Sequence, residues 1–255
     1  MRFDVVTLFP ELFEPHLRQG ITRRAFQPGG DGGPAPVEVR LWPLRDFADD
    51  AYRRVDDRPY GGGPGMVMLA EPLLRALAAI TGERGGTPAI VHFTPTGRRI
   101  DQSVVEQFAA GPGAVLLCGR YEGIDQRFID AHVTLELSLG DFVLSGGELP
   151  ALALLDAVAR LQEGVLHAPS HQQDSFSDGL LEGPQYSRPE RLTIAGAEQA
   201  VPAVLMSGHH GEIARWKRER SLELTARRRP DLIAAARAAG RLSSADEKCL
   251  ARLGL

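Results

Sequence analysis

Hydrophobic and polar positions follow two different periods along the first two-thirds of the chain. Short runs of apolar and β-branched residues alternate with longer segments in which apolar residues recur three and four positions apart. The short runs are typical of buried strands and the longer segments of amphipathic helices. The pattern predicts strands at 3–9, 37–41, 89–93, 114–117 and 133–137, and helices at 10–17, 71–80, 102–108 and 148–161.

The alternation of strands with helices predicts the fold class. Several of the predicted strands are mainly apolar, as in A-V-L-L at 114–117, so we expect these strands to be covered on both faces. Strands of this kind pair in parallel, and helices connect them across the faces of the sheet. We therefore predict an α/β fold with a mainly parallel sheet.

A change of composition divides the chain into parts. Residues 164–173 are rich in Gly, His, Pro, Ser and Gln, which is typical of a flexible connection. We predict an α/β domain at 1–163, an interdomain linker at 164–173 and a small helical domain at 174–255.

The predicted C-terminal domain has polar helical patterns. Its predicted helices cover 211–225, 230–239 and 243–253. The last helix begins at Ser243 or Ser244, with Glu247 as the acidic member of a capping box.

Charge and cysteine content narrow the function classes. The formal net charge is -4, but it is unevenly distributed: residues 1–173 have a net charge of -6 and residues 174–255 a net charge of +2. If the protein binds a polyanion, we therefore expect the C-terminal part to bind it. Two distant cysteines, Cys118 and Cys249, do not form a disulfide framework, which favours a reduced, cytoplasmic protein. The N-terminus has an aspartate within a short apolar run, so we expect neither a signal peptide nor a membrane span.

Glycine-rich stretches mark the places where a ligand can approach the backbone. Residues 137–150 read L-S-L-G-D-F-V-L-S-G-G-E-L-P, which interrupts a buried run with Gly140 and the pair Gly146-Gly147. The loop at 56–66 has no lysine and hydroxyl of a P-loop and no dinucleotide-binding pattern. This loop therefore gives no evidence for nucleotide hydrolysis or for dinucleotide binding.

A second candidate loop follows the strand at 114–117. The segment 117–127 reads L-C-G-R-Y-E-G-I-D-Q-R, so charged and aromatic residues crowd the turn after a buried strand. Ligands of open α/β sheets bind beyond the carboxyl ends of the strands, which makes this turn a candidate site. A solvated loop between a strand and a helix is an equally good interpretation.

Six motifs together resemble a known family. They are G-G-G-P-G-M (61–66), C-G-R-Y-E-G-I-D (118–125), S-L-G-D-F-V-L-S-G-G-E-L-P (138–150), D-S-F (174–176), Y-S-R-P-E (186–190) and S-G-H-H-G-E-I-x-x-W (207–216). In this order they closely resemble the bacterial tRNA (guanine-N1)-methyltransferases of the knotted SPOUT superfamily.

The resemblance implies a fold, a reaction and partners. The α/β domain would contain a deep trefoil knot, although connections in proteins rarely thread loops. The chain would use S-adenosylmethionine to methylate N1 of guanosine 37 in tRNA, next to the anticodon. It would act as a cytoplasmic homodimer with the active site at the subunit interface. Mg²⁺ is possible but is not indicated by the sequence.

The resemblance also implies a set of cofactor contacts, which lie in the glycine-rich turns and the loops beside them. These are Pro95, Gly119, Tyr121, Glu122, Ser138, Leu139, Gly140, Asp141, Phe142, Val143, Leu144, Gly146, Gly147 and Pro150. Phe142 stands where a tyrosine is common in the family.

The reaction requires two further groups, a general base and a cation. Guanine N1 carries a proton at neutral pH, so methylation needs a general base, and charge that develops at O6 needs a cationic partner. The resemblance assigns these roles to Asp174 and Arg160. Without it, Asp174 would be interpreted as a helix N-cap and Arg160 as a favourable charge at a helix C-terminus.

Basic residues of the C-terminal part are candidates for RNA contacts. We predict this role for Arg188, Arg215, Lys217 and Arg220, because such groups bind phosphate. An ordinary solvated helix face is about equally good for any one of them. Gln185 stands where the family has a histidine.

Two other interpretations remain open. His167, His171 and Asp174 resemble a metal cluster, but Pro169 argues against the helix that would bring the histidines together, so we predict no metal site. The chain could also be a knotted methyltransferase for ribosomal RNA or a ribose 2′-oxygen, or a non-catalytic RNA-binding module.

Overall fold

The computed structural model describes residues 1–29, 32–166 and 174–254. Of these residues, 1–29 and 32–166 belong to one compact unit and 174–254 to a second. Residues 167–173, which include His167 and His171 and most of the predicted linker, lie outside the described residues. The linker itself therefore stays a prediction.

The first unit is built on a parallel sheet of five strands. In the order of the sheet, the strands are β2 (Glu38–Pro43), β1 (Arg2–Thr7), β6 (Val115–Leu117), β5 (Ile90–Arg99) and β7 (Leu135–Ser138). All of the pairings within this sheet are parallel. A small antiparallel pair, β3 (Asp56–Asp57) and β4 (Val67–Met68), lies outside it. The predicted α/β class with a mainly parallel sheet is confirmed.

Helices connect the strands of this unit. They are α1 (Glu14–Arg18), α2 (Arg23–Phe26), α3 (Ala70–Arg84), α4 (Gln102–Ala110), α5 (Gln126–His132) and α6 (Glu148–Arg160), with single 3₁₀ turns at Pro10–Leu12 and Leu44–Phe47. No helix in the part of the chain that the structure describes is long and apolar enough to cross a membrane.

Alternate residues of the strands pack into two hydrophobic cores, one on each face of the sheet. Phe3 and Val5 of β1 pack in a cluster with residues of α4 and α6. Val6 packs in a second cluster with residues of α3 and α5. Because both faces are covered, the central strand β6 is apolar throughout and buried, as the sequence pattern predicted.

The first core continues beyond the predicted domain boundary at residue 163. Val165 is buried in this core and Leu166 packs against it. Val165 and Leu166, which were predicted to belong to the linker, therefore pack on the α/β unit.

Strand β5 contains an irregularity that the periodicity does not predict. Its pairing with β7 shifts register between Phe93 and Arg98, so residues 94–97 bulge out of the ladder. A Cβ atom at Gly97 would lie 2.5 Å from the carbonyl carbon of Glu136, so only glycine permits this close approach. The bulge places Pro95 at the end of the sheet that forms the candidate site.

The second unit combines helices with one hairpin. Its helices are α7 (His210–Arg228), α8 (Pro230–Ala238) and α9 (Ser244–Arg252), and a 3₁₀ turn covers Ala203–Met206. Strands β8 (Arg191–Ile194) and β9 (Ala197–Ala200) form an antiparallel hairpin that the sequence analysis missed. Leu222, Ile233 and Leu250, one from each helix, meet in a small buried core.

The capping box of α9 differs from the predicted one. Ser243 is the N-cap, and its hydroxyl accepts a hydrogen bond from the backbone N–H of Asp246. The Asp246 carboxylate accepts the reciprocal bond from the Ser243 N–H at 2.9 Å. The acidic partner is therefore Asp246 and not Glu247, because aspartate three positions after Ser243 can reach back in the same way.

Candidate functional site

A cavity of about 270 Å³ lies at the carboxyl ends of β5, β6 and β7. Its walls come from the bulge of β5, from the loop after β6 and from the loop that joins β7 to α6. This is the end of a parallel sheet at which ligands of open α/β folds bind.

Most of the predicted cofactor contacts line this one cavity. They are Pro95, Gly119, Tyr121, Glu122, Ser138, Leu139, Gly140, Phe142, Val143, Leu144, Gly146 and Pro150. Asp141 and Gly147 do not line it. The exposed Asp141 carboxylate pairs instead with the Arg99 guanidinium, whose Nε lies 3.1 Å from Oδ1.

Gly147 supports the wall of the cavity from behind. Its N–H donates to the carbonyl oxygen of Gly119 at 2.9 Å, which joins the two loops. A Cβ atom at this position would lie 2.8 Å from the Cα of Cys118. The glycine therefore lets the chain that enters α6 pack directly on the end of β6.

A buried ion pair holds these loops together. The Glu148 side chain is 1% exposed, and its carboxylate accepts hydrogen bonds from Arg120 Nε and from the Thr7 hydroxyl, each at 2.9 Å. The Arg120 guanidinium also donates to the Ser145 carbonyl oxygen at 3.2 Å and lies 4.5 Å from the centroid of the Phe9 ring. Because every charge here is paired, the burial is tolerated and Arg120 is fixed at the cavity wall.

The loop after β6 has a strained backbone and a nonreactive thiol. Tyr121 adopts a φ of 61°, which is uncommon for a residue with a side chain and is held here by the surrounding loops. Partial burial, followed by the nearby Asp56 carboxylate, raises the pKa of the Tyr121 hydroxyl. Burial, and then the Glu148 charge, raises the pKa of the Cys118 thiol well above 9.0, so this cysteine has no nucleophilic role at neutral pH.

The glycine-rich loop at 61–66 also reaches the site. The Glu122 N–H donates to the carbonyl oxygen of Met66 at 3.0 Å. Gly65 has a φ of 80°, and a Cβ atom there would lie 2.2 Å from Glu122 Oε1. The glycines and prolines of this loop predict irregular structure, but only the tertiary structure brings the loop against Glu122.

Arg120 lies in the turn that was predicted as a candidate site, but His92, which also lines the cavity, was not predicted from the sequence. His92 is 7% exposed, and its Nδ1 lies 3.2 Å from Glu136 Oε1. Burial lowers the pKa of His92, and the Glu136 carboxylate partly offsets this effect. A histidine within the apolar run I-V-H-F was the signal that could have identified it.

The two candidate catalytic residues belong to different units. Arg160 is the last residue of α6 in the first unit and is exposed. Asp174 is half-buried and lines a cavity of about 360 Å³ in the second unit, together with His210 and Lys217. Residues 174–179 form turns, so the interpretation of Asp174 as a helix N-cap is wrong.

Three of the predicted RNA contacts lie on α7 and one precedes the hairpin. Arg188, Arg215 and Lys217 are exposed, and within the described residues none of them forms an ion pair. Arg220 differs, because its guanidinium pairs with Glu223 and its Nε is buried without a hydrogen-bond partner among the described residues.

Other basic residues of the second unit stabilise its fold. Arg218 donates from Nε and Nη2 to the two carboxylate oxygens of Asp246 at 3.0 and 3.1 Å. This pairing is the main cause of a lowered pKa at Asp246 and a raised pKa at Arg218. Among the residues that the structure describes, no group of three or more His, Cys, Asp or Glu side chains could hold a metal ion.

The chain is similar to known proteins over its whole length. The family model described as tRNA (Guanine-1)-methyltransferase TrmD matches residues 1–235. A tRNA (guanine-N(1)-)-methyltransferase of Leptothrix cholodnii is 69% identical, with 100% of both chains covered. The enzyme of that name from Methylibium petroleiphilum is 67% identical over 99% of this chain and 98% of its own.

A more distant relative carries the same name. The tRNA (guanine-N(1)-)-methyltransferase of Bordetella pertussis is 54% identical over 99% of this chain and 98% of its own. The resemblance inferred from six motifs is thus confirmed by similarity along the whole sequence. This chain belongs to the tRNA (guanine-1)-methyltransferase family.

Proposed function

We propose that this protein transfers the methyl group of S-adenosylmethionine to N1 of guanosine 37 in tRNA. The observation that carries the proposal is the cavity at the carboxyl ends of β5, β6 and β7, which gathers residues from two separate motifs of the family, at 118–125 and 138–150. The cytoplasm, where tRNA is processed in a reducing environment, is the proposed location.

The residues of the cavity fit an adenosyl cofactor. Phe142, Leu139 and Pro150 offer apolar surface for a flat base, and the glycine-rich turns leave backbone N–H and C=O groups open for its polar edge. A Cβ atom at Gly146 would fall 2.3 Å from Arg120 Nε, so the turn can follow the wall only without a side chain. When bound there, the cofactor would supply an electrophilic methyl group on a sulfonium.

The protein's own contribution to catalysis is proton transfer and charge stabilisation. Asp174 would accept the N1 proton of guanine, and the Arg160 guanidinium would stabilise the negative charge that develops at O6.

We also propose a homodimer with active sites at the subunit interface. In this assembly each site takes its cofactor cavity and Arg160 from one protomer and Asp174 from the other. The trefoil knot of the α/β unit is part of the same proposal. It would arrange the loops after β6 and β7 around the cofactor.

Shared sites can be tested by complementation. Arg160→Gln and Asp174→Asn should each be inactive as homodimers. A heterodimer of the two variants, purified through two different tags, would contain one intact site and one doubly substituted site if the sites are shared. Recovery of about half the wild-type activity is expected. No recovery would place both residues of each site on the same protomer.

The reaction itself can be tested by mass spectrometry of nucleosides. A tRNA transcript with guanosine at position 37, incubated with the protein and S-adenosylmethionine, should yield N1-methylguanosine. A transcript with adenosine at that position serves as the control. A methylated ribose would support the ribose 2′-O alternative, and absence of any product with bound tRNA would support the non-catalytic alternative. Methylation of ribosomal RNA but not of tRNA would indicate a different target.

The general base has a specific test. Asp174→Asn should lower turnover by roughly 10²- to 10⁴-fold, the usual contribution of a general base. Its affinity for S-adenosylmethionine, measured by calorimetry, should stay within about twofold of the wild-type value because Asp174 does not line the cofactor cavity. Asp178→Asn, a change in the same turn region, is the matched control. Full activity in Asp174→Asn would remove this residue from the mechanism.

A further inference from the structure

His92 occupies an unusual position in the first unit. It is a histidine on β5 of the parallel sheet, between Leu117 of β6 and Glu136 of the edge strand β7. It is 7% exposed, and the little surface that it keeps lies at the cavity wall. A buried polar side chain needs a hydrogen-bond partner for each of its polar atoms, so each ring nitrogen of His92 should have one.

Nδ1 of His92 has a partner on the neighbouring strand. It lies 3.2 Å from Oε1 of Glu136. An ionised carboxylate can only accept a hydrogen bond, so the ring proton is on Nδ1 in the neutral imidazole. Nε2 then carries a lone pair and can only accept.

Nε2 of His92 makes no hydrogen bond within the described residues, and the chain leaves space beside it. A Cβ atom at Gly119 would lie 3.3 Å from Nε2, closer than most side chains approach one another. Gly119 therefore keeps a side chain away from this nitrogen. The result is a fixed acceptor at the wall of the cavity.

We infer that His92 is a cofactor-binding residue whose Nε2 accepts a hydrogen bond from a hydroxyl or amino group of the adenosyl cofactor, and that Glu136 is the positioning residue that fixes its tautomer. This inference rests on the proposed cofactor cavity. It adds a residue that the motifs do not contain, since I-V-H-F lies outside all six of them.

The electrostatics of the neighbourhood favour the neutral imidazole. Burial is the main influence on the pKa of His92 and lowers it, while Glu136 on β7 raises it. The other titratable groups of the cavity wall are Arg120, Tyr121 and Glu122 from the loop after β6, and Arg120 is paired with Glu148 of α6. A neutral acceptor suits S-adenosylmethionine, which is a cation at its sulfur, whereas a protonated His92 would repel it.

The consequence is a cofactor affinity that depends on pH. Protonation of His92 removes the acceptor at Nε2, so binding and protonation oppose each other. By linkage, the bound cofactor must lower the pKa of His92 further. S-Adenosylhomocysteine, which has a neutral sulfur but the same hydroxyl and amino groups, should show the same effect.

Calorimetry with S-adenosylhomocysteine at pH 8 gives the first test. His92→Leu has no acceptor and should bind about tenfold more weakly than wild type, the usual consequence of losing one hydrogen bond to a buried group. His92→Gln keeps an acceptor and should bind within about threefold of wild type. His132→Gln, in α5, is the matched control and should bind like wild type. Wild-type affinity in His92→Leu would overturn the inference.

A second test measures protonation and does not depend on catalysis. Carbon-detected NMR of the His92 ring in the cofactor-free protein, assigned with His92→Gln, gives its titration midpoint. Addition of S-adenosylhomocysteine should lower this midpoint, and Glu136→Gln should lower it in the free protein because a charge that favours the imidazolium is lost. An unchanged midpoint on ligand binding would contradict the inference.

The two proposals fail in different ways. If the wild-type protein binds neither S-adenosylmethionine nor S-adenosylhomocysteine at pH 8, the cofactor cavity itself is wrongly assigned. If it binds both and the His92 variants change nothing, the cavity stands and only the role of His92 is wrong. Near-ultraviolet circular dichroism of each variant separates these results from a loss of folding.

Discussion

At Gly146, a hydrogen atom in place of a side chain leaves room for the Arg120 guanidinium and the Glu148 carboxylate. A Cβ atom there would lie 2.3 Å from Arg120 Nε and 2.7 Å from Glu148 Oε2. The ion pair between Arg120 and Glu148, which fixes the cavity wall, therefore requires a residue without a side chain at position 146. The sequence shows the glycine, but it does not show the two partners that require it.

Gly146→Ala should disturb both stability and cofactor binding. The added methyl group forces Arg120 away from Glu148, and overpacking of this kind costs about 1–3 kcal/mol of unfolding free energy. Affinity for S-adenosylhomocysteine should fall by about tenfold or more as the wall moves, measured by calorimetry.

The control for this substitution is Gly82→Ala within α3. A Cβ atom at Gly82 meets nothing within 4 Å, so the alanine should stabilise the helix slightly and leave binding unchanged. Equal binding by Gly146→Ala and Gly82→Ala would show that the turn at Gly146 does not shape the cavity.

Glu148→Gln should destabilise the first unit. The amide keeps the shape of the side chain but leaves the Arg120 charge without its partner in a site where Glu148 is 1% exposed. Loss of one member of a buried pair costs about 3 kcal/mol, the lower end of the usual range, because Arg120 retains 18% exposure. Urea unfolding at neutral pH measures the change.

A double-mutant cycle with Arg120→Gln tests the cause. If the pair is coupled, the double variant should be more stable than the sum of the two single changes predicts. Simple additivity would mean that Arg120 and Glu148 act independently.

Single elements show where local patterns are sufficient and where they fail. Four strands of the sheet and helices α3, α4 and α6 lie close to their predicted ranges because their period reflects burial on one or both faces, whereas β5, predicted at 89–93, extends to Arg99. The bulge of β5 and the hairpin of β8 and β9 were missed. The bulge depends on a close approach of Gly97 to another strand, and the hairpin residues are exposed, so neither leaves a hydrophobic period.

Helix α9 carries a prediction at this scale. Asp246 links its N-cap to Arg218 of α7, so Asp246→Asn should lower the unfolding free energy of the second unit by about 2 kcal/mol at pH 7. Urea unfolding followed through Trp216 fluorescence is the measurement. Glu247→Gln, which breaks the exposed pair with Arg237, is the control and should have little effect.

The effect of Asp246→Asn should depend on pH. Arg218 holds the pKa of Asp246 below its ordinary value of 3.8. The carboxylate's contribution is therefore complete above pH 3.8 and is lost as the pH falls through the lower pKa of the folded state. The difference between wild type and variant should shrink only below this pH. A difference that already disappears near neutral pH would be inconsistent with this pairing.

The whole molecule separates its charge between the two units. The net charge of -6 on residues 1–173 and of +2 on residues 174–255 favours RNA contact through the second unit. The structure divides the arginines of that unit further. Arg215 and Lys217 are exposed on α7, whereas Arg218 is committed to Asp246.

The salt dependence of tRNA binding can distinguish these groups. Replacing Arg188, Arg215 and Lys217 together by glutamine should reduce the slope of log affinity against log salt concentration by about 2–3, since each phosphate contact contributes roughly 0.7–0.9. Filter binding between low and moderate salt measures the slope. Arg237→Gln, a paired arginine of α8, should leave it unchanged. An unchanged slope in the triple variant would assign RNA binding to other residues.

The sequence by itself determined the five strands of the parallel sheet, the longer helices beside them and, through six motifs, the family. Each of these properties follows from a local pattern in the sequence, either a hydrophobic period or a short motif. The tertiary structure alone decided which residues share a cavity, that Thr7 and Arg120 hold Glu148, and that His92 lines the cavity. Thr7 and Glu148 are 141 positions apart, and no local pattern encodes a contact between residues so distant in the chain.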